Sequence, residues 1–212
     1  KPGMVIKNLT LHNFRNYEDE EFSFEPGLNV LSGRNAQGKT NCAEAVFYLC
    51  TGTSLRIRHD RQLIRHGTDG AHIAARAQTR FGSVSLEASV FENKRELFVN
   101  GNKVSKAADF VGNMNSVFFS PGELRLIQDG PDERRRFLNL SISQTSREYC
   151  TALSRYQRIL DQRNNLLKER DSALVFETLP VWDEQLAVYA ARIVRHRRAF
   201  LAKLAPLARD TH

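Results

Sequence analysis

The sequence predicts an α/β domain followed by a long helical arm. Its 212 residues are 41% hydrophobic and 26% charged, which is enough apolar material to form a core in a chain of ordinary domain size. Strand signals and turn residues fill the first half and stop near residue 119. After that point apolar residues recur at steps of three and four, the spacing of a buried helix face. We therefore expect a domain over residues 4–130 and an arm over residues 131–212.

Composition narrows the class of protein. The sequence contains no apolar run of roughly 18 residues, the length that a membrane-spanning helix needs, and no signal-peptide pattern. Residues 1–3 resemble the remainder of a tag. Cys42, Cys50 and Cys150 are too few and too far apart for a disulfide framework or a paired-cysteine metal site. These features favour a cytosolic protein.

Extended apolar runs punctuated by turns predict the strands. The strand candidates are residues 5–11, 22–24, 28–31, 73–77, 84–88, 97–99 and 117–119. Phe81-Gly82 lies between two of these runs, and Asn100-Gly101 follows another, so we expect hairpins at both places. A helix over residues 39–49 should follow the third strand candidate.

The second half carries helix signals. Pro131 with Asp132 and Glu133 suits the first turn of a helix, since acids favour its positive end. Two apolar stripes then follow, Tyr149, Leu153, Tyr156, Leu160, Arg163, Leu167 and Trp182, Leu186, Tyr189, Ile193, His196, Phe200. Each predicts a helix of about 25 residues, the second starting at Pro180. Either stripe can be an ordinary buried face, but we favour an antiparallel helical hairpin that forms a coiled-coil-like arm.

One motif carries chemistry, because residues 33–40 match GxxxxGK[ST] between a predicted strand and a predicted helix. Glycines let the backbone N–H groups turn inward toward phosphate oxygens. Lys39 should reach the β- and γ-phosphates of ATP, and Thr40 should place its hydroxyl on Mg²⁺. The predicted nucleotide site consists of Gly33, Arg34, Asn35, Ala36, Gln37, Gly38, Lys39 and Thr40. A glycine-rich turn that binds nothing is the alternative.

The sequence shows only half of a hydrolytic site. Hydrolysis needs a carboxylate that holds Mg²⁺ and a group that orients water. After residue 40 we find neither an apolar strand that ends in acids nor an LSGGQ-like segment. We therefore expect nucleotide binding with little hydrolysis.

Five motifs point to a family. They are LHNFRNY at residues 11–17, GRNAQGKT at 33–40, FSPGEL at 119–124, GPDERRRFL at 130–138 and YQRILDQRNNLLK at 156–168. The residue types in these motifs, and the order of the motifs along the chain, resemble those of the RecF family. Its members are bacterial recombination-repair ATPases related to SMC proteins. The resemblance implies an ABC/SMC-like P-loop ATPase head lobe with a mixed sheet. It also implies a fragment, because the family's signature motif and Walker B acids follow the arm.

The family resemblance also implies cofactors and partners. Intact members bind ATP with Mg²⁺, form ATP-dependent homodimers head to head, and bind double-stranded DNA or single-strand/double-strand junctions at gaps. They act with RecO- and RecR-type mediator proteins to load recombinase in the bacterial cytoplasm at the nucleoid. In this chain Arg15 resembles the arginine that approaches the phosphates, and Glu123 occupies the place of a loop contacting Mg²⁺ or water. A salt bridge of Arg15 to Glu18 or Asp19, and a helix-terminal role for Glu123, are the alternatives.

The formal charge of +7 fits a partner that carries phosphates. Two arginine clusters are the DNA-binding candidates, Arg56, Arg58, Arg61 and Arg65 in the first half and Arg192, Arg195, Arg197 and Arg198 on the arm. Each cluster can also be a solvated surface. The alternative functions are an interaction module with a non-hydrolysing P-loop, another SMC-like P-loop ATPase, a small kinase, or an overcoming-lysogenisation-type nuclease.

Overall fold

The computed structural model describes residues 3–35, 37–54, 56–57, 59–119, 130–168 and 172–211. The chain divides into two units, residues 1–123 and 124–212. The predicted division between residues 130 and 131 stays a prediction, since residues 120–129 lie outside the described part of the chain.

The first unit is built on a six-stranded sheet in the order β2-β1-β3-β4-β5-β6. Its strands are β1 (Val5–His12), β2 (Asp19–Ser23), β3 (Gly70–Thr79), β4 (Gly82–Phe91), β5 (Arg95–Val99) and β6 (Asn102–Val104). The predicted α/β class is confirmed. A mixed sheet is expected from the sequence, but every pairing among the described strands is antiparallel.

Both predicted hairpins form. In β3 and β4 Thr79 pairs with Gly82, which leaves a two-residue turn. Between β5 and β6, Asn100 and Gly101 have φ angles of 50° and 76°. Positive φ at both central residues is what a type I′ turn requires, so the Asn-Gly pair directs this hairpin.

Helix α1 (Lys39–Thr51) supplies the helical side of the first core. Ala45, Tyr48 and Leu49 of α1 are fully buried together with Leu9 and Ile73 of the sheet. Burial of such apolar surface contributes about 25 cal/mol per Å², which anchors the second half of α1 against the sheet. The short 3₁₀ helix Asp60–Leu63 and helix α2 (Ala107–Phe110) add smaller contacts.

Two predicted strands are wrong. Residues 28–31 and 117–119 have no strand pairing among the described residues. Their apolar side chains lie in solvent, with Leu28 89% and Val117 99% exposed. A strand is held by hydrogen bonds to a neighbour, so an apolar run without one stays irregular. Phe118 instead packs edge-on against Phe47 of α1, with the ring centroids 5.8 Å apart.

The described residues of the second unit form helices α3 (Pro131–Thr145), α4 (Arg147–Leu166) and α5 (Ser172–Asp210). Pairing of Arg163 with Asp183 and of Arg195 with Glu148 shows that α4 and α5 run antiparallel. The predicted start at Pro180 is wrong, because α5 begins earlier and keeps Pro180 inside the helix. Helix-forming residues surround this proline and continue the helix, although an internal proline removes one backbone hydrogen bond and clashes with the carbonyl four residues before it.

The core of the second unit lies between these helices. Ile142, Tyr149, Ala152 and Ile193 are buried together there. Of the two polar interruptions of the stripes, Arg163 pairs with Asp183 at 2.5 Å, and His196 Nε2 lies 3.4 Å from Glu148 Oε2. None of the helices in the described ranges combines the length and apolarity needed to cross a bilayer.

Candidate nucleotide-binding site

The phosphate loop, residues 33–40, curls over its own lysine. The Lys39 ammonium donates hydrogen bonds to the Gly33 carbonyl at 2.7 Å and the Arg34 carbonyl at 2.6 Å. The Arg34 N–H donates to Gln37 Oε1 at 2.9 Å. Gly33 and Gly38 have φ angles of 151° and 100°, which favour glycine. The loop therefore holds the Lys39 ammonium against its own carbonyl groups.

Helix α1 starts directly from this loop. Gly38 caps it in the left-handed conformation, and neither a side-chain cap nor a first-turn acid is present. The first N–H groups of a helix lack internal partners and carry partial positive charge. Because α1 has neither a side-chain cap nor an acid in its first turn, these N–H groups suit the binding of phosphate.

A second turn packs against the loop. An added Cβ on Gly38 would lie 2.7 Å from the Tyr17 ring and 2.8 Å from the Asn16 amide, so both side chains would have to shift to admit it. The Asn41 amide of α1 donates to Asn16 Oδ1 at 2.7 Å. The NFRNY segment of the sequence therefore lies beside the phosphate loop in the fold.

Arg15 belongs to that turn and adopts a φ of 56°. Its Nε and Nη2 donate to the two oxygens of Glu44 at 3.1 and 2.8 Å, and its Nη1 donates to the Gln62 carbonyl at 2.9 Å. Glu18 pairs with Arg65 at 3.2 Å instead. A surface salt bridge of Arg15 to Glu18 or Asp19 is therefore wrong, because the guanidinium turns inward to α1.

Glu44 is the site residue that sequence reasoning misses. Its side chain is only 2% exposed, and it also accepts hydrogen bonds from Ser54 at 2.5 Å and from Arg56 at 3.4 Å. Arg56 donates in addition to Asn41 Oδ1 at 2.8 Å. The one signal in the sequence is an acid among the apolar residues of α1, four places after the loop's threonine.

The site fits a magnesium ion carried by phosphates. Thr40 is exposed in the first turn of α1, so its hydroxyl is available as a ligand. Among the described residues, no cluster of three or more His, Cys, Asp or Glu side chains is placed to hold a metal. Mg²⁺ commonly takes its remaining ligands from nucleotide phosphates and water, and Thr40 suits that arrangement.

In the first arginine cluster, some arginines pair with side chains of the same unit and others are exposed to solvent. Arg56 is engaged by Glu44 and Asn41, as described above, and Arg65 pairs with Glu18 at 3.2 Å. Arg61 is exposed. Of the other predicted site residues, Arg58, Ala36 and Glu123 lie outside the described residues.

The second cluster divides in the same way. Arg192 lies over the Tyr189 ring, 5.5 Å from its centroid, and Arg195 pairs with Glu148 at 3.4 Å. Arg197 donates to Tyr149 Oη at 3.1 Å and to an oxygen of the Asn139 side chain at 2.8 Å. Arg198 is exposed. Arg197 is therefore a packing residue of the helical unit, whereas Arg198 has the solvent access that the DNA prediction assumes.

A glycine-rich loop that opens a helix over a sheet defines the class of P-loop nucleotide-binding proteins. In agreement with this class, a family model described as an AAA domain matches residues 8–177. The chain belongs to this family.

Individual relatives of the chain indicate a narrower family than the AAA domain. The chain is 41% identical over 99% of its length to the DNA replication and repair protein RecF of Geobacillus thermodenitrificans. It is 40% identical over 99% of its length to the protein of the same description from Alkaliphilus oremlandii. The resemblance to RecF inferred from five motifs is confirmed. The chain spans 57% of the length of both relatives.

Solved structures of RecF share the fold of this chain. A structure of the recombination mediator protein RecF-ATP in the RecFOR pathway superposes with a TM-score of 0.86 at 31% identity. The match covers 96% of this chain and 55% of that one. The Smc head domain with an extended coiled coil from Pyrococcus furiosus has a TM-score of 0.51 at 17% identity. It covers 94% of this chain and 58% of that one, and supports the fold alone.

Proposed function

We propose that this chain is the ATP-binding part of a DNA repair protein of the RecF type. The observation that carries the proposal is the phosphate loop, where Lys39 lies against the loop carbonyls of Gly33 and Arg34 beside a helix start that lacks a side-chain cap. Lys39 would then exchange carbonyl oxygens for phosphate oxygens, and Thr40 would contribute its hydroxyl to Mg²⁺. Arg15 would add a cation from the adjoining turn.

The proposed activity of the whole protein follows its relatives. It would bind DNA at gaps or single-strand/double-strand junctions and help RecO- and RecR-type mediators load recombinase, acting as an ATP-dependent homodimer. A similar protein is described as a recombination mediator in the RecFOR pathway, which supports these partners. The net charge of +7 and exposed arginines such as Arg61 and Arg198 support contact with a phosphate backbone. Its place would be the bacterial cytoplasm, at the nucleoid.

This chain alone should bind ATP with little hydrolysis. The sequence of these 212 residues offers no apolar strand that ends in paired acids, and hydrolysis requires a carboxylate for Mg²⁺ and for water. ATP turnover by the isolated chain at the rate of a complete head would overturn this part of the proposal.

The experiment compares the chain with its Lys39→Ala variant. ATP affinity, measured by titration of a fluorescent ATP analogue, should fall at least tenfold in Lys39→Ala, because the loop cation is lost. Lys7→Ala removes an exposed lysine of β1 and should leave the affinity unchanged.

A measurement of DNA affinity distinguishes the proposed ATP-dependent function from the main alternative, an interaction module. The affinity for a gapped duplex should rise with ATP in the natural chain and not in Lys39→Ala. Equal affinity in all four conditions would favour an interaction module whose P-loop plays no part.

A further inference from the structure

We propose that Glu44 is a positioning residue that holds Arg15 and Arg56 in place for the phosphates of the nucleotide. The inference rests on the proposed ATP site and assigns a role that the motif itself does not contain. Glu44 lies five residues after Lys39 on α1, about 7.5 Å further along the helix axis. It is therefore one to two turns from the loop that receives the phosphates.

The carboxylate of Glu44 is fully committed. One oxygen accepts from Arg15 Nη2 at 2.8 Å and from Ser54 Oγ at 2.5 Å. The other accepts from Arg15 Nε at 3.1 Å and from Arg56 Nη1 at 3.4 Å. Four donors from two separate segments thus converge on one side chain that is 2% exposed. Such an arrangement fixes the direction of both guanidinium groups.

The charges do not cancel at this point. Two guanidinium groups meet one carboxylate, so the cluster keeps one net positive charge beside the helix start. Arg15 uses three of the five N–H donors of its guanidinium on Glu44 and the Gln62 carbonyl. In the part of the chain that the structure describes, the remaining two donors have no hydrogen-bond partner and can reach an anion, since the side chain is 19% exposed.

Asn41 gives the cluster a direct connection to the loop. It lies one turn before Glu44 on α1, and its amide links the turn of Asn16 while its oxygen accepts from Arg56 at 2.8 Å. Residues three apart share a helix face, so Asn41 and Glu44 together hold both arginine-bearing segments against the first turns of α1. This placement distinguishes the cluster from an ion pair elsewhere in the sheet domain.

A purely stabilising role makes a different prediction. A buried ion pair is weak support for stability, because desolvation offsets much of its attraction. If Glu44 only stabilised the fold, its substitution would lower the stability of the chain and leave the ATP affinity of the folded protein unchanged. If it acts through Arg15, the two substitutions must be coupled.

The test is a double-mutant cycle on ATP affinity in the full 212-residue chain. Glu44→Gln and Arg15→Gln should each weaken binding about tenfold, and the double variant should be no weaker than the weaker single variant by more than about twofold. Losses that multiply, or an unchanged affinity in Glu44→Gln, would overturn the inference.

Two controls keep the result interpretable. Asp60→Asn removes a comparable acceptor, which binds Arg95 at 2.9 Å in the same unit, and should lower stability without changing ATP affinity. Should Glu44→Gln fail to fold in thermal unfolding, Glu44→Asp takes its place in the cycle, since it keeps the charge and loses the reach. In that cycle the same coupling is expected, and independent losses overturn the inference.

Lys39→Ala separates this inference from the proposed function. If the natural chain binds ATP no better than Lys39→Ala, the ATP site itself is refuted, and the inference with it. If Lys39→Ala loses binding while Glu44→Gln retains it, only the role of Glu44 is refuted.

Discussion

Arg197 and Arg198 are neighbours in sequence with opposite surroundings. Arg197 donates to Tyr149 and to Asn139, and the Tyr149 hydroxyl donates to the same Asn139 oxygen at 2.7 Å. These contacts join α3, α4 and α5 at one point. Arg198 is exposed on α5. Two residues that a charge pattern treats alike therefore differ in what they do.

We predict that Arg197→Ala lowers the free energy of unfolding by about 1–3 kcal/mol, because partly buried acceptors lose a charged donor. Arg198→Ala should change it by less than about 0.5 kcal/mol, as is usual for exposed positions. Urea unfolding followed by helical circular dichroism measures both. Equal effects of the two substitutions would contradict the packing role of Arg197.

Cys50 gives a pH dependence whose sign follows from burial. It is fully buried, and burial raises the pKa of its thiol from 9.0 to about 11, while a hydrogen bond with Ser116 lowers it less. The unfolded chain ionises this thiol first. Its contribution to stability is therefore complete below pH 9 and is lost as the pH rises toward 11.

Between pH 8 and pH 10.5 this thiol should account for a loss of about 2 kcal/mol in the free energy of unfolding. Cys50→Ala removes the thiol, so its own decrease over the same range should be smaller by about that amount. Urea unfolding of both chains at the two pH values provides the comparison. Parallel decreases would show that Cys50 does not titrate in this window.

At the scale of elements, two glycines with similar backbones isolate the contact between the phosphate loop and the NFRNY turn. Gly38 and Gly27 have φ angles of 100° and 95°. A Cβ on Gly38 would collide with Tyr17 and Asn16, whereas a Cβ on Gly27 meets nothing within 4 Å. Backbone strain is thus matched, and only the collision differs.

Gly27→Ala should cost about 1–2 kcal/mol of stability from the left-handed backbone and leave ATP affinity unchanged. Gly38→Ala should cost more and weaken ATP binding at least tenfold, because the Tyr17 and Asn16 side chains must shift away from the loop. Thermal unfolding and titration of an ATP analogue measure the two effects. Similar results for both variants would remove the turn from the site.

The elements that the sequence predicts are those whose signals are local. The Asn100-Gly101 turn and the helix after the phosphate loop follow from a few adjacent residues. Residues 28–31 and 117–119 have strand composition but no paired neighbour among the described strands, and composition does not report pairing. The role of Glu44 is also non-local, because Arg15 lies 29 positions away and Arg56 lies 12 away.

In the molecule as a whole, the first unit carries several large apolar side chains that are exposed to solvent. Val117 and Phe119 are 99% and 82% exposed, and Leu28 is 89% exposed. Val117 also lines an apolar groove of about 260 Å³, together with Phe47 and Phe118. Exposed apolar patches of this kind mark surfaces that associate with other protein surface. The relatives are longer than this chain, which spans 57% of their length.

We predict that this chain alone self-associates through that surface. Sedimentation velocity should show an average mass that rises with concentration, and the double variant Val117→Ser/Phe119→Ser should reduce the association. Its thermal midpoint should stay within about 2 °C of the natural chain, because exposed side chains contribute little to the core. Phe81→Ser is the matched control, since Phe81 is 85% exposed at the β3–β4 turn. If Phe81→Ser reduces association as much as the double variant, general surface hydrophobicity and not this surface is responsible.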